Sequence, residues 1–212
     1  MRDRLVLGFD TSAAHCAAAL LQGDRLLVAR LEPMDKGQAE RLMPLLAEVL
    51  AEAGKTWADL TALAVGVGPG NFTGIRIAVA AARGLALGLG IPAHGVTRFD
   101  ALALDLPRPL AVVEDARRGE VYVQAFDGSD FPPRLAALAD LPGLIGALPV
   151  VGSAAEAGTA LTGGACLAPR YPMAEAIARA ALHRAPGPRP APFYLRAADA
   201  APPSDPPPVI LP

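Results

Sequence analysis

The sequence predicts an α/β protein in which an antiparallel meander is followed by parallel strand–helix units. Two observations carry this prediction. Three apolar, strand-like runs follow one another within residues 4–32, and helix-like and strand-like segments then alternate over residues 37–105. Strands joined without a helix pair antiparallel, whereas strands separated by a helix can pair in parallel. The order β-β-β-α-β-α-β-α therefore predicts one mixed sheet in the N-terminal half.

The meander is predicted from residues 4–10 (RLVLGFD) and from residues 13–32. The second of these segments divides into two strands at Gln22-Gly23-Asp24, which is a typical turn sequence. Both segments are rich in apolar residues, so we expect three neighbouring strands that are largely buried.

A long helix is predicted over residues 37–54, where apolar side chains recur at helical spacing. Gly54 suits the left-handed position that ends many helices, and Pro44 predicts a kink or a later helix start. Residues 56–59 (TWAD) resemble a capping box, so they should open a short turn before a strand at residues 60–68.

The stretch GVGPGNFTGIRI, residues 66–77, is the part of the chain that most resembles a phosphate-binding loop. It matches neither the P-loop pattern nor the dinucleotide pattern. One interpretation is an anion site at a helix N-terminus. The alternative, which we favour, is a tight turn in which Asn71 or Thr73 caps a helix over residues 73–89 and Gly74 allows two backbones to approach.

The helix after this loop, residues 74–90, is apolar almost all round, and only Arg76 and Arg83 break the pattern. A surface helix normally carries a polar stripe. We therefore expect it to pack against its own sheet on one side and either a partner or more of the same chain on the other. Small residues such as Ala80 and Gly84 would permit the close approach of another helix.

The remaining elements are fewer and shorter. They are predicted as a strand at 92–96, a helix at 98–105 capped by Thr97, a hairpin at 108–128, a strand at 148–154 and a helix at 173–185. No internal repeat is visible. Proline is abundant from residue 186 onward, but Phe193, Tyr194 and Leu195 are apolar enough to hold that segment on the body, and Arg196 could bind a carboxylate or carbonyls.

Few residues suggest catalysis. Asp10, in FDTS (residues 9–12), could belong to a magnesium site for nucleotide phosphates, but a turn carboxylate is the simpler interpretation. His15, His94 and His183 never fall at the spacing of a local metal site, so no metal is predicted.

Composition indicates a soluble cytoplasmic protein. The formal charge is −2 and the pI is near 5.9, which disfavours direct binding of nucleic acid. Cys16 and Cys166 have no CxxC spacing, the N-terminus lacks a secretory signal, and no uninterrupted apolar run is long enough for a bilayer. The charged residues from Glu114 to Arg118 read best as a polar turn.

Four segments together resemble the TsaB (YeaZ) family, which takes part in bacterial tRNA threonylcarbamoyladenosine biosynthesis. They are GFDTS (8–12), AVGVGPGNFTGIRIAVAAARGLA (64–86), VEDARRGEVYV (113–123) and FYLR (193–196). The resemblance implies an actin/hexokinase/Hsp70-like fold of two RNase-H-like subdomains, the second reduced. We place the subdomains at residues 1–100 and 101–195, with a proline-rich tail at 196–212.

The resemblance also implies a non-catalytic scaffold without a cofactor. Its partners would be a catalytic TsaD-like subunit and a TsaE-like ATPase, with tRNA reached only through the complex and a homodimer possible when the chain is alone. The family pairs through the two long helices, which implies an interface of Leu42, Leu46, Val49, Ile75, Arg76, Val79, Ala80 and Arg83. A vestigial nucleotide or phosphate loop would comprise Asp10, Thr11, Ser12, Gly68, Gly70, Asn71 and Thr73.

Two alternatives remain open. An ATP-dependent small-molecule kinase of the same superfamily would need a second phosphate loop, for which the C-terminal half offers only scattered glycines. A metallopeptidase would need metal ligands.

Overall fold

The structure, a computed structural model, describes residues 4–129, 131–182, 184–185 and 187–196. The strands are β1 (Leu5–Asp10), β2 (His15–Gln22), β3 (Arg25–Pro33), β4 (Ala62–Gly66), β5 (Ala93–Val96), β6 (Leu110–Asp115), β7 (Glu120–Phe126), β8 (Arg134–Ala137), β9 (Val150–Val151) and β10 (Cys166–Leu167). The α-helices are α1 (Gln38–Glu52), α2 (Phe72–Leu89), α3 (Arg98–Leu102), α4 (Leu141–Ile145), α5 (Ala155–Thr162) and α6 (Met173–Leu182). His183 and the proline-rich tail from residue 197 lie outside the described residues.

The first sheet is mixed, as the sequence predicts. Its order is β3-β2-β1-β4-β5, with the meander antiparallel and β1, β4 and β5 parallel. In the central strand, Leu7 pairs with Leu20 on one side and with Leu63 on the other. Every residue of β1 is buried, because helices cover both faces of this sheet.

The second sheet repeats the topology of the first. Its order is β10-β9-β6-β7-β8, so β6 takes the place of β1, with an antiparallel meander on one side and parallel strands on the other. It is smaller, since β9 and β10 have two residues each. This repeat leaves no visible trace in the sequence, because topology depends on strand order rather than on residue identity.

Helices α1 and α2 cover one face of the first sheet and α6 covers the other. Side chains of a strand alternate between faces, so Leu7 and Phe9 point to α1 and α2 while Val6 points to α6. Gly8 allows α6 to approach β1 closely, because a Cβ there would lie 2.6 Å from the Ala174 carbonyl oxygen.

The position of α6 corrects the predicted subdomain boundary. We assigned residues 101–195 to the second subdomain, but α6 packs on the first sheet. Phe193 also returns there, since its N–H donates to the Val67 carbonyl at 2.8 Å. Helix α6 and Phe193 therefore pack against the N-terminal half of the chain.

Most local signals in the sequence are confirmed. Gly54 has a φ of 64°, and the chain reverses there with Lys55 N–H bonded to the Leu50 carbonyl at 2.9 Å, which completes the helix cap. Thr56 and Asp59 form the predicted capping box, and Thr97 caps α3. Helix α1 starts at Gln38 and continues through Pro44, so the predicted later start is wrong.

Helix α2 is the one α-helix among the described residues with the length and composition to cross a membrane. Core helices of soluble proteins meet the same criteria, so this observation is weak. Only 28% of its 18 residues are buried, however, so most of this apolar helix is not fully covered by the rest of the chain.

Candidate functional site

The turn after β1 and the glycine-rich loop before α2 interlock through their backbones. Asn71 N–H donates to the Ser12 carbonyl at 2.7 Å, and the Thr11 hydroxyl donates to the Gly74 carbonyl at 2.6 Å. Asn71 also caps the helix, because its side-chain oxygen accepts from Gly74 N–H at 3.0 Å. The structure thus brings the predicted phosphate-loop residues together, but these contacts are made within the protein.

The glycines of the loop are required by this interlock. A Cβ at Gly74 would lie 1.9 Å from the Thr11 carbonyl oxygen, and a Cβ at Gly70 would lie 2.3 Å from that of Ser12. Both distances are far inside van der Waals contact. The tight-turn interpretation therefore accounts for these two glycines without a bound anion.

Asp10 lies at the end of β1 and is fully buried. Its Oδ2 contacts His15 Nε2 at 2.8 Å and accepts from the Ser12 hydroxyl at 3.0 Å. Its Oδ1 has no hydrogen-bond partner among the described residues and rests against Gly66, where a Cβ would lie 2.1 Å away. The carboxylate is thus held beneath the turn rather than exposed to a ligand.

Arg98, the first residue of α3, connects this turn to the second sheet. Its Nη1 lies 3.7 Å from Asp10 Oδ2, and its Nε donates to Glu114 Oε2 at 2.7 Å. Glu114 is buried at the end of β6, and its other oxygen accepts from Ser153 N–H at 2.7 Å. A chain of polar contacts therefore runs from one sheet to the other.

The opposite charges of Asp10 and Arg98 shift each other's pKa towards the charged form. Burial raises the pKa of Asp10, but the hydrogen bond from His15, the charges of Arg98 and His15 and the Ser12 hydroxyl outweigh it, so the pKa falls below its ordinary value. Burial also lowers the pKa of Arg98, yet the charges of Glu114 and Asp10 reverse the effect and raise it. Asp10 and Arg98 are therefore both charged at neutral pH.

Sequence reasoning missed this network. From the sequence, Glu114 is placed in a polar turn, His15 is considered only as a metal ligand, and Arg98 is not mentioned. Arg98 and Glu114 are sixteen residues apart and belong to different elements, helix α3 and strand β6. The one signal that could have pointed to Glu114 is a charged residue directly after an apolar strand run.

A cleft of about 960 Å³ lies above this network, between the two sheets. One wall is formed by Ser12–Ala14 and Asn71, and the opposite wall by the turn Ala116–Arg118 between β6 and β7. The segment Phe193–Arg196 lines its rim. Arg196 donates there to the Ala116 carbonyl at 2.9 Å and pairs with Glu120, so the structure shows both of the alternatives predicted for it, a carbonyl and a carboxylate.

Five of the eight predicted interface residues are in the core, which corrects that part of the prediction. These residues are at most 3% exposed in the chain alone, and they are Leu42, Leu46, Val49, Ile75 and Val79. They face the first sheet, because α1 and α2 need apolar side chains to cover it. Such residues position the helices and cannot touch a partner directly.

The other three, Arg76, Ala80 and Arg83, lie on the solvent side of α2. Together with the exposed apolar and small residues of the two helices they make up what we call the α1/α2 outer face. Its members are Met43, Pro44, Ala47, Ala51, Arg76, Ala80, Arg83, Gly84, Leu87 and Gly88. Most are small or apolar, and Leu87 is 79% exposed.

Histidine positions do not suggest a metal site. Within the described residues there is no group of three or more His, Cys, Asp or Glu side chains able to hold a metal ion. His94 lies on β5, apart from the Asp10–His15 contact, and His183 lies outside the described residues.

Comparison with known proteins places the chain in a family. The model of the family TsaD, tRNA N6-adenosine threonylcarbamoyltransferase, matches residues 32–129. An uncharacterized protein of Mycobacterium tuberculosis is 39% identical over 93% of this chain and 94% of its own length. TsaB of Escherichia coli, a tRNA threonylcarbamoyladenosine biosynthesis protein, is 37% identical over 55% of this chain and 52% of its own length.

A solved structure agrees. YeaZ from Pseudomonas aeruginosa superposes with a TM-score of 0.70 at 29% identity, covering 91% of this chain and all of the other. The chain belongs to the TsaB (YeaZ) family. Component A of an (R)-2-hydroxyglutaryl-CoA dehydratase shares the fold at 12% identity, with a TM-score of 0.54. The actin/hexokinase-like fold of two related sheets, which the sequence resemblance implied, is thereby confirmed.

Proposed function

We propose that this TsaB-family chain is a non-catalytic subunit in tRNA threonylcarbamoyladenosine biosynthesis. It pairs through the α1/α2 outer face with a TsaD-like catalytic subunit and works in the cytoplasm beside a TsaE-like ATPase. It reaches tRNA only through that complex, and the same face supports a homodimer when the chain is alone.

The observation that carries this proposal is the exposed apolar surface of α2. Leu87 is 79% exposed and Met43, on the neighbouring helix α1, is 41% exposed. The exposed residues of α2 also include small ones such as Ala80 and Gly84, which have little side chain to cover the backbone. An apolar patch of this kind marks an interaction surface, and burying one Leu side chain contributes about 1.5–3 kcal/mol.

The TsaD family match supports the choice of partner. The matched residues 32–129 include both α1 and α2, so a TsaD-like chain carries counterparts of these two helices. Two related surfaces can pair about an approximate twofold axis in the way that identical surfaces form a twofold dimer. The outer face could therefore form both a heterodimer with a TsaD-like chain and a homodimer of this chain.

The cleft supports the non-catalytic part of the proposal. The position between Asp10 and Glu114, at its floor, is filled by the Arg98 side chain. Among the described residues, Asp10 Oδ1 is the one side-chain atom of Asp10, Arg98 and Glu114 that is buried without a hydrogen-bond partner. A catalytic centre needs groups that are free to bind the reacting atoms.

The alternative is an ATP-dependent kinase, and the cleft itself is the observation that favours it. Its volume of about 960 Å³ is sufficient for a nucleotide. Calorimetric titration with Mg²⁺ and ATP separates the two. Micromolar affinity that disappears in Asp10→Ala would support the kinase, whereas the scaffold proposal expects no such affinity. A peptidase function, which the name of one related structure mentions, is favoured by no group in the cleft.

The decisive experiment uses Ala80→Glu, which places a carboxylate in the centre of the outer face. We expect the chain to fold, because Ala80 is exposed, but to lose affinity for a TsaD-like protein from the same cell by at least about 100-fold, or about 2.7 kcal/mol. In a strain that depends on this chain, the threonylcarbamoyladenosine content of tRNA should fall in parallel.

The matched control is Ala160→Glu, the same change at an exposed helical alanine in the second half of the chain. It should leave pairing and modification intact. If Ala80→Glu pairs with unchanged affinity, the outer face is not the interface. If pairing is lost while tRNA modification is normal, the complex is not how this chain acts.

A further inference from the structure

We infer that Arg98 is an internal clasp that holds the two sheets together across the cleft without a bound ligand. The Arg98 clasp consists of Arg98 with Asp10 and Ser12 of the first sheet and Glu114 of the second. This inference concerns the isolated chain and does not depend on the proposed partner.

On the side of the first sheet, Arg98 is fixed by both backbone and side chain. Its N–H donates to the Gly68 carbonyl at 2.9 Å, which anchors it to the glycine-rich loop. Its Nη1 lies 3.4 Å from Ser12 Oγ and 3.7 Å from Asp10 Oδ2. The guanidinium is therefore held over the turn that follows β1.

On the side of the second sheet, the same guanidinium forms a hydrogen-bonded ion pair with Glu114. Nε donates to Glu114 Oε2 at 2.7 Å, and Nη2 contacts the same oxygen. The other oxygen of Glu114, Oε1, accepts from Ser153 N–H, which links Arg98 to the loop after β9. The Ser153 hydroxyl in turn accepts from Asp115 N–H at 2.9 Å, so the end of β6 and the loop after β9 are held together.

Charge explains why one arginine is needed here. Two carboxylates, on Asp10 and Glu114, are buried on opposite sides of the cleft floor. Buried carboxylates must be paired with a cation, and the planar fork of Arg can serve two acceptors at once. Because the cation belongs to the chain, the pairing is present at all times. The distance between the sheets should therefore not depend on what enters the cleft.

A second connection lies at the rim and must be separated from the clasp. Arg196 pairs with Glu120 there, and its side chain is 25% exposed against 12% for Arg98. Solvent weakens an exposed pair far more than a buried one. We therefore expect removal of Arg196 to loosen the cleft less than removal of Arg98.

The cysteines of the chain provide the measurement. Cys166 is exposed on β10 of the second sheet. Cys16 is buried on β2, and burial, with the charge of Glu32, raises its pKa to about 11, so it should not react. Adding Leu31→Cys at an exposed site of β3 gives one spin label on each sheet, and double electron–electron resonance then measures the distance between them.

In this background we expect a narrow distance distribution that does not change when Mg²⁺ and ATP are added. Arg98→Met should broaden it at least twofold. Glu114→Gln should do the same, because it keeps the acceptor for Ser153 but removes the charge that Arg98 grips. Arg196→Ala should broaden it less, and Arg25→Met, at an exposed arginine on β3, should leave it unchanged.

Two results would overturn the inference. One is an unchanged distribution in both Arg98→Met and Glu114→Gln, which would show that other contacts hold the sheets. The other is a shift of the distance in the chain without either substitution when Mg²⁺ and ATP are added, which would show a cleft that responds to ligand. The second result remains accessible even if the clasp variants fail to fold.

Discussion

Gly74 offers the sharpest test of why the glycine-rich loop contains glycine. In an ordinary helix, Gly→Ala stabilises by about 1 kcal/mol, because Ala has the higher helix propensity. Gly74 is in the first turn of α2, but a Cβ there would lie 1.9 Å from the Thr11 carbonyl oxygen and 3.0 Å from its carbon. The obstacle is backbone, so it cannot rotate away, and the two loops must separate.

The cost follows from the contacts that this separation breaks. Asn71 N–H to the Ser12 carbonyl and the Thr11 hydroxyl to the Gly74 carbonyl would both be stretched or lost. Each such bond contributes about 0.5–1.5 kcal/mol, and a buried group left unpaired costs about 1–3 kcal/mol. After the gain in propensity, we expect Gly74→Ala to lower the free energy of unfolding by about 2–4 kcal/mol.

Urea unfolding followed by circular dichroism gives this free energy directly. The matched control is Gly84→Ala in the same helix, where a Cβ would meet nothing within 4 Å. That variant should be as stable as the parent or more stable by up to about 1 kcal/mol. If Gly74→Ala were as stable as Gly84→Ala, the loop would not be packed as described, and an anion site would again be the better explanation of its glycines.

Two further predictions concern the core. Val79→Glu buries an unpaired carboxylate at a residue that is 3% exposed, so it should destabilise the chain by about 3–5 kcal/mol or unfold it, whereas Ala80→Glu next to it should unfold at the parent's urea midpoint. Equal stability of the two would contradict the assigned faces of α2. Burial, with the charges of Arg4 and Arg184, lowers the pKa of His94, so the unfolded chain binds a proton there that the folded chain does not. The free energy of unfolding should therefore decrease as the pH falls below about 6.5, and this decrease should be smaller in His94→Gln; identical slopes would show that His94 does not contribute.

The parts of the fold that depend on neighbouring residues could be predicted from the sequence. Gly54, the Thr56–Asp59 capping box and the Asn71 cap each need contacts only three to five residues away. The short elements β8, α4, α5 and β10 were missed, because segments of two to eight residues contain too little periodicity to be recognised.

The faces of α2 could not be predicted, for a different reason. Ile75 and Val79 on one side are apolar, and so are Ala80, Gly84 and Leu87 on the other. When both sides of a helix are apolar, hydrophobic periodicity cannot tell which side is buried. Only the position of the first sheet decides which side of α2 is covered. Ala80, Gly84 and Leu87 prevent a prediction of the buried side of α2 from the sequence, and the same residues make its exposed side suitable for a partner.

The cleft and the helix together bear on the proposed non-catalytic function. In the cleft, the glycines of the loop are used for contacts between two backbones, and the cation between Asp10 and Glu114 is a side chain of the protein. The contacts that would otherwise hold a ligand are thus made within the chain, which fixes the cleft instead of leaving it open to substrate. On the far side of the same loop, α2 starts at Phe72 after its Asn71 cap and carries apolar side chains into solvent. A cleft fixed by Arg98 gives α2 a rigid base, and a rigid base reduces the entropy lost when its outer face binds. Under the proposed function, the internal clasp and the external face are therefore complementary features of a subunit that would act by binding.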